Sequence, residues 1–261
     1  MNLIGNPSLT ITPIYGIPDI DKHTALEEAI LISIKNLDID VIDNDILVLA
    51  QKIVSKNEDR YINYAKLTPS KEALEIASEC GKDPQFVQLV LDESNAVIRV
   101  APGILIVEHR SGFISANAGI DHSNIKGSTN PEEKWALLIP EDADESARKI
   151  RMAIAEITDK NIAVLIIDSH GRAWRQGTVG VSIGFSGLPA LIDMRGKADL
   201  YGNILQSTII CAVDELAAGA SLVMGQTNEA IPAVLVRGFP YLLSDGKFSN
   251  LLRSRESDLF R

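Results

Sequence analysis

The sequence predicts a mixed α/β fold in which short apolar strands and amphipathic helices share one chain. Residues 162–167 are a six-residue run rich in Val and Ile, the length and composition of a strand covered on both faces. Residues 45–50 predict a second apolar strand. Residues 144–157 instead repeat apolar side chains at helical spacing after an acidic first turn, which is typical of an amphipathic helix. Strands and helices of this kind build the layers of α/β and α+β proteins.

Length and composition limit the possible functions. With 261 residues, 46% of them apolar, the chain can bury a sizeable core as one large domain or two modest ones. The net charge of −10 disfavours nonspecific binding to nucleic acid or to an anionic membrane. Two distant cysteines, no leader-like N-terminus and no long apolar stretch lead us to expect a soluble, cytoplasmic protein without disulfides.

The first third of the chain carries signals for a strand and three helices. Alternating Leu9 and Ile11 indicate a half-buried strand. Thr24 and Glu27 form a capping box that predicts a helix within residues 21–37. The pairs Thr68-Pro69 and Asp83-Pro84 each place a capping side chain before a proline, so we expect helices over about residues 69–80, ended by Gly81, and 84–93.

Further elements follow in the middle and at the end of the chain. Residues 97–100 and 104–107 resemble strands broken by a bend, and residues 110–112 turn the chain into a hairpin strand over 113–116. The predicted helix from Asp144 points Ala147, Ile150, Ile154 and Ile157 inward. An apolar helix over residues 209–224, ended by Gly225, precedes a last buried strand over 231–236.

Polar side chains follow three of these predicted strands. Asp168 and Ser169 end the apolar run 162–167, Asp121 lies in the loop 117–124, and Lys52 and Lys56 follow the run 45–50. Two carboxylates with neighbouring oxygen donors such as Ser169 and Asn124 suit a hard divalent cation, and the lysines suit phosphate. Plainer interpretations remain open: solvated edge lysines, an Asx-rich turn at 117–124, and Asp168 capping a turn while Arg172 and Arg175 form salt bridges.

Several motifs are absent or incomplete. The chain has no G-x-x-x-x-G-K-[ST] segment, which excludes a P-loop nucleotide site. Residues 184–187 fall one residue short of G-x-S-x-G, so Ser186 is not predicted to be a nucleophile. The four histidines lack H-x-x-x-H spacing, which disfavours a zinc site.

Six segments together resemble the coenzyme F-420-0:L-glutamate ligase family. In chain order they are GIPDI, AQKIVSKNEDR, NAGIDHSN, DSHGRAWRQGTVGVSIG, DLYGN and MGQTNEAIPAVLVRG. The resemblance covers roughly residues 8–238. It implies a fold with mixed sheets and flanking helices, and an intertwined homodimer with active sites built from both subunits. Residues 1–261 would form one catalytic unit; if it divides into two subdomains, the boundary falls in residues 125–142.

The resemblance also implies a reaction. Such a ligase uses GTP and a divalent metal, Mg²⁺ or Mn²⁺, to phosphorylate the carboxylate of F-420-0, and the amine of L-glutamate then attacks the acyl phosphate. Asp121, Asp168 and Lys56 would be catalytic, and Asp121, Asp168, Ser169 and Gln226 would hold metal. The residues expected around GTP are Ile17, Pro18, Asp19, Ile20, Gln51, Lys52, Lys56, Asn124, Met224, Gly225, Gln226, Thr227, Asn228, Glu229, Ala230 and Ile231.

The sequence departs from the family pattern at two positions, and two alternative functions are considered beside the ligase. Gln226 stands where the family can have an acidic residue, which would weaken a second metal, and His170 follows the Asp168-Ser169 pair. One alternative is a protein that binds nucleotide and metal without ligation. The other is a glutamate ligase for a different acid, such as a folate-type carboxylate, as in organisms that lack the deazaflavin cofactor.

Overall fold

A computed structural model describes residues 8–125, 130 and 132–259 of the chain. The helices are α1 (Leu26–Lys35), α2 (Gln51–Asn57), α3 (Lys71–Cys80), α4 (Pro84–Asp92), α5 (Ala143–Thr158) and α6 (Ala212–Met224). The strands are β1 (Thr10–Pro13), β2 (Ile46–Ala50), β3 (Tyr61–Asn63), β4 (Ser94–Ala101), β5 (Ile104–His109), β6 (Ile114–Ala116), β7 (Trp135–Leu137), β8 (Ala163–Arg172), β9 (Arg175–Ser186), β10 (Ile192–Asp193), β11 (Ile209–Ile210) and β12 (Ala233–Arg237). The mixed α/β prediction is confirmed.

A five-stranded mixed sheet, in the order β1-β12-β2-β8-β9, organises the larger part of the molecule. β2 and β8 are parallel, and the other neighbours in this sheet are antiparallel. The first four residues of β2 and the first five of β8 are buried, because α1, α5 and α6 contribute to the same hydrophobic core. The predictions of a strand covered on both faces at residues 162–167 and of a second buried strand at 45–50 are therefore confirmed.

A second hydrophobic core forms within the long connection between β2 and β8. It joins α3 and α4 to the antiparallel sheet β4-β5-β6 and to the short β3-β7 pair. The hairpin between β5 and β6, predicted from the turn at residues 110–112, is confirmed. The predicted subdomain boundary at 125–142 includes positions outside the described residues and stays a prediction.

Two of the predicted helix starts are wrong. The N-cap of α1 is Ala25, and the Thr24 hydroxyl donates to Asp21 Oδ1 instead of capping the helix. The N-cap of α3 is Ser70, which accepts from the Ala73 amide, so the Thr68-Pro69 signal lies two residues too early. In both places a polar side chain in the same short stretch takes the local hydrogen bond. The Asp83-Pro84 cap of α4 and the Gly81 end of α3 are confirmed.

Other boundaries also differ from the prediction. β8 does not stop at Asp168 but continues to Arg172, because its pairing with β9 extends the ladder beyond the buried core. Residues 209–210 pair with β10, so the last long helix begins only at Ala212. Ile157 is exposed, unlike the other three apolar side chains predicted to face inward from α5. Gly225 does end α6, as predicted.

The remaining features of the fold are its lack of a membrane-crossing helix among the described residues and the state of its two cysteines. Within the described ranges, no helix is both long and apolar enough to cross a membrane. Cys80 and Cys211 are unpaired; Cys80 is buried and Cys211 partly buried. Burial raises the pKa of the Cys211 thiol to about 12, which disfavours the reactive thiolate form.

Candidate functional site

A cavity of about 530 Å³ lies at the edge of the central sheet. Every residue expected around GTP lines it: Ile17, Pro18, Asp19, Ile20, Gln51, Lys52, Lys56, Asn124 and residues 224–231. Asp168 and Ser169 line it as well. The sequence argument missed Ala50, Ile53, Ile167, Ser221 and Pro232. Each is adjacent to a predicted residue or one helical turn from one, so periodicity would have revealed them.

The parallel pairing of β2 and β8 explains why these residues meet. Ala50, the last residue of β2, pairs with Ile167 of β8. The chain passes from β2 directly into α2, while β8 goes on to Asp168 and Ser169. Carboxyl ends of parallel strands share one edge of a sheet, which is where ligands commonly bind. The two lysines of α2 and the carboxylate of Asp168 consequently face one cavity.

The loop after α6 closes another side of the cavity. Its first residue, Gly225, has φ 75°, and a Cβ there would lie 2.6 Å from Glu229 Oε2. Only glycine allows this close return of the chain. The Thr227 amide donates to Glu229 Oε2 at 2.7 Å, and Asn124 Nδ2 donates to the Thr227 carbonyl at 3.0 Å. These bonds order the loop and tie it to the segment that carries Asp121.

Asp121 lies directly behind the cavity wall. Its backbone bridges to Leu137, Lys52 Nζ lies 3.2 Å from its Oδ1, and Gln51 donates to its other oxygen. Burial raises the pKa of Asp121 to about 6 against the lowering effect of the Lys52 ammonium, and the charge of Asp168 adds to the rise. Two carboxylates from separate segments therefore stand close enough to repel each other.

Asp168 is held by its own strand and adjoins a pair of oxygen donors. His170 Nε2 lies 3.0 Å from Asp168 Oδ2. Ser169 Oγ donates to Gln226 Oε1 at 2.8 Å, and Gln226 Nε2 donates to Ser221 Oγ at 2.9 Å. The structure thus brings Ser169 and Gln226 together beside Asp168, as the sequence argument expected, although their roles toward a metal stay a prediction.

Both lysines are anchored inside the cavity. Lys56 Nζ lies 3.1 Å from Asp19 Oδ1, and Lys52 Nζ lies 3.2 Å from Ser123 Oγ in addition to its contact with Asp121. Their side chains are only 15% and 27% exposed, respectively. The interpretation as solvated edge lysines is wrong, because both ammonium groups contact carboxylates of the site.

The donor atoms fit a hard divalent cation. They are two carboxylates, a hydroxyl and an amide oxygen, from Asp121, Asp168, Ser169 and Gln226, and Mg²⁺ and Mn²⁺ prefer such oxygen ligands. In the part of the chain that the structure describes, no group of three or more His, Cys, Asp or Glu converges on one point. The set therefore contains two formal charges. Burial is the main cause of the raised pKa of Asp121, and a cation would offset both that burial and the smaller effect of the Asp168 charge.

Arg172 and Arg175 lie away from the cavity, at the end of the β8-β9 hairpin, where they pair in register. Arg172 donates to the Gln176 carbonyl at 3.3 Å. Neither arginine forms an ion pair with any residue that the structure describes, so the interpretation in which they form salt bridges to surface acids has no support among those residues.

Comparison with known proteins agrees with the resemblance of the six segments. The sequence model of the F420-0:gamma-glutamyl ligase family matches residues 16–238. The chain is 42% identical to the coenzyme F420:L-glutamate ligase of Methanothermobacter thermautotrophicus, over 97% of this chain and 99% of the relative. The ligases of the same name from Archaeoglobus fulgidus and Methanocaldococcus jannaschii are 40% and 43% identical, over 96% and 84% of this chain and 96% and 85% of theirs. The chain belongs to the F420-0:gamma-glutamyl ligase family.

Proposed function

We propose that this acid–amino-acid ligase joins L-glutamate to the carboxylate of F420-0 at the expense of GTP, in a reaction that requires Mg²⁺ or Mn²⁺. The relatives named coenzyme F420:L-glutamate ligase align over nearly the whole chain, which supports the reaction class. The observation that carries the proposal is the single cavity where two lysines, Asp168 and an ordered loop converge, with Asp121 directly behind it.

The nucleotide part of the proposal rests on the lining of the cavity. Ile17, Ile20 and Ile231 supply apolar surface against which a base can pack, and Lys52 and Lys56 supply positive charge. Lysine holds phosphate as a point charge. The loop at residues 225–231 is ordered by its own hydrogen bonds, so it loses little further conformational freedom when a nucleotide binds.

The metal part of the proposal assigns Asp121, Asp168, Ser169 and Gln226 as ligands. A divalent cation bound there supplies charge neutralisation for the phosphates of GTP. His170 keeps the Asp168 carboxylate in one orientation through its 3.0 Å contact, and Lys52 does the same for Asp121. Such supporting contacts fix ligands before a metal arrives.

The chemistry follows from the low reactivity of a carboxylate. An oxygen of the F420-0 carboxylate attacks the γ-phosphorus of GTP, so that GDP leaves and an acyl phosphate forms. The amine of glutamate then attacks the acyl carbon, phosphate leaves and the nitrogen loses a proton. We assign Lys56, with Lys52, to stabilise negative charge on the transferred phosphoryl group. No covalent enzyme intermediate is required.

The test supplies GTP, Mg²⁺ or Mn²⁺, L-glutamate and F420-0 to the purified protein. Phosphate release should depend on both glutamate and F420-0, and the product mass should increase by one glutamyl residue. Asp168→Asn should abolish this turnover while the protein remains folded. GTP binding without any product would favour the alternative of a nucleotide-binding protein. Turnover with a folate-type acid but not with F420-0 would favour a different acceptor.

We also propose that the protein is a homodimer. Leu200 and Tyr201 are 98% and 91% exposed on a tight turn in which Asp199 accepts from the amides of Tyr201 and Asn203. Leu222 of α6 is also strongly exposed. Large apolar side chains on a rigid turn favour burial against another surface, and a second copy of the chain is the partner that the family resemblance implies.

A further inference from the structure

We propose that the C-terminal segment, residues 239–259, positions Asp168 through an aromatic column formed by Phe248, Phe113 and His170. Phe248 and Phe113 are positioning residues in this proposal, because they act on Asp168 only through the imidazole. The inference rests on the proposed function, in which Asp168 is assigned as a metal ligand. The segment begins just after the last of the six segments that carry the family resemblance, so the resemblance assigns it no role.

The first half of the C-terminal segment is fastened to the larger core. The Gly246 amide donates to the Leu188 carbonyl at 2.9 Å. The Phe248 amide donates to Asp144 Oδ2 at 2.8 Å, and Asp144 Oδ1 accepts from the Phe185 amide at 2.9 Å. One carboxylate at the start of α5 therefore holds both β9 and the C-terminal segment. These bonds fix the Phe248 side chain, which is only 8% exposed.

The second half of the C-terminal segment lies against the β5-β6 hairpin of the second core. A Cβ at Gly112, in the turn of this hairpin, would lie 2.6 Å from Leu252 Cδ1. Arg255 Nη2 lies 3.3 Å from Glu108 Oε2 on β5. The segment therefore joins two parts of the molecule that have separate cores, and it contacts the turn next to Phe113.

Phe113 reaches from the hairpin into the larger core, where three aromatic rings contact it. The His109 ring stacks on it with 4.7 Å between ring centres and 6° between ring planes. The Phe248 ring meets it edge to face at 6.2 Å, and the His170 ring lies 5.1 Å away. Aromatic pairs in such arrangements attract each other beyond the effect of burial. The position of Phe113 beside His170 consequently depends on Phe248.

The aromatic column ends at the Asp168 carboxylate. His170 Nε2 lies 3.0 Å from Asp168 Oδ2. A Cβ at Gly119 would lie 3.6 Å from the same oxygen and 3.8 Å from Phe113 Cζ, so the Phe113 ring also reaches the surroundings of this carboxylate. Among the described residues the pairing of β8 with β2 stops at Ile167. Side-chain contacts therefore have to hold Asp168 where that ladder has ended.

Removal of the Phe248 ring should loosen the whole column. It leaves a space that Phe113 can enter by tilting away from His170, because close-packed interiors relax toward a void. The imidazole then loses a fixed wall, and the Asp168 carboxylate loses part of its fixed orientation. Contacts that orient a ligating side chain change the metal affinity when they are lost.

Calorimetric titration of the full chain with Mn²⁺ tests the inference. Phe248→Leu keeps an apolar side chain without the ring, and the Kd for Mn²⁺ should rise about three- to tenfold. Phe239→Leu is the matched control, because Phe239 is also 8% exposed in the same core and its ring pairs with Tyr241 at 5.4 Å. Both variants should lose similar stability in urea, but only Phe248→Leu should lose Mn²⁺ affinity. Leu252→Ala, which removes the contact with the hairpin turn, is a second variant and should act in the same direction.

A double-mutant cycle separates positioning from a general loss of stability. His170→Phe keeps a ring against Phe113 but removes the contact with Asp168. Phe248→Leu added to His170→Phe should therefore leave the Mn²⁺ affinity nearly unchanged, because both residues act on Asp168 through the same imidazole. A merely destabilising effect of Phe248→Leu would lower the Mn²⁺ affinity by the same factor in both backgrounds.

The outcomes separate the C-terminal segment from the reaction. Wild-type Mn²⁺ affinity in Phe248→Leu, an equal loss in Phe239→Leu, or additive effects in the cycle overturns the inference and leaves the ligase reaction unaffected. The predicted loss of Mn²⁺ affinity in a protein that does not ligate glutamate to F420-0 would refute the reaction and support the role of the segment. A wild type that does not bind Mn²⁺ would contradict both.

Discussion

The two carboxylates of the site are held by different side chains. Lys52 and Gln51 hold Asp121 from α2, whereas His170 holds Asp168 from two positions along the same strand. The orientation of the Asp121 carboxylate therefore depends on how α2 packs. The orientation of the Asp168 carboxylate depends on the imidazole of His170. A change at His170 should affect the proposed metal site with little effect on the rest of the fold.

His170→Phe should weaken Mn²⁺ binding by about tenfold, the range seen when a hydrogen bond to a ligating side chain is lost. Phenylalanine keeps the packing against Phe113, whose ring centre lies 5.1 Å from that of His170. Calorimetric titration with Mn²⁺ measures the effect, and His23→Phe, at an exposed position, is the control. Equal Mn²⁺ affinity in both variants would contradict a supporting role for His170.

A buried histidine makes stability depend on pH. Burial lowers the pKa of His109 from 6.5 to about 4, helped by the nearby charge of Arg110. The Ser111 amide donates to Nδ1 at 2.9 Å, which fixes the neutral ring. Between pH 6.5 and 4 the unfolded chain binds a proton that the folded protein does not, so stability falls as pH falls, by about 3 kcal/mol over the window.

Urea unfolding at several pH values between 7 and 4, without metal, measures this effect. His109→Asn keeps an acceptor for the Ser111 amide but does not titrate, so its stability should fall less over the window than that of the wild type. The raised pKa of Asp121 acts in the opposite direction and is common to both proteins. Identical pH profiles would show that His109 is not the responsible group.

At the scale of elements, β9 is the strand on which two helices pack. A Cβ at Gly180 would lie 2.5 Å from the Ala217 carbonyl oxygen of α6, and one at Gly184 would lie 2.7 Å from that of Ala143 in α5. Both helices contact β9 extensively. The missing side chains let the helices approach the sheet, which brings Ser221 and the loop after α6 toward Ser169 of β8.

Gly180→Ala should lower the free energy of unfolding by about 1–3 kcal/mol through overpacking against α6. Gly171→Ala is the matched control in the same hairpin. Nothing lies within 4 Å of its added Cβ, so its effect should stay within about 0.5 kcal/mol. Urea unfolding of both variants checks the difference. Equal stabilities would mean that α6 can move away from the sheet without cost.

The sequence predicted elements whose signals are local. The Asp83-Pro84 cap and the apolar runs at β2 and β8 were recognised because a few adjacent residues determine them. The length of β8 beyond Asp168 was missed, since it depends on pairing with β9, a partner that periodicity does not reveal. The ion pair between Lys52 and Asp121 could not be derived from pattern alone either, because it joins segments about 70 residues apart.

At the scale of the whole molecule, the proposed dimer should depend on the turn at Asp199–Asn203. Leu200→Glu places a charge on its most exposed apolar side chain and should shift the protein toward monomer, since burying an unpaired charge is costly. Leu242→Glu, also at an exposed leucine, is the control and should leave assembly unchanged. Analytical ultracentrifugation measures both, and a wild type that sediments as a monomer would contradict the dimer.

The central claim is that the acceptor carboxylate is activated by phosphorylation before glutamate attacks. The most direct measurement uses F420-0 labelled with ¹⁸O in that carboxylate, together with GTP, Mg²⁺ and L-glutamate, and analyses the released phosphate by mass spectrometry. An acyl phosphate requires one labelled oxygen to leave with each phosphate as the amide forms. Unlabelled phosphate, released while the glutamyl product forms, would contradict the account.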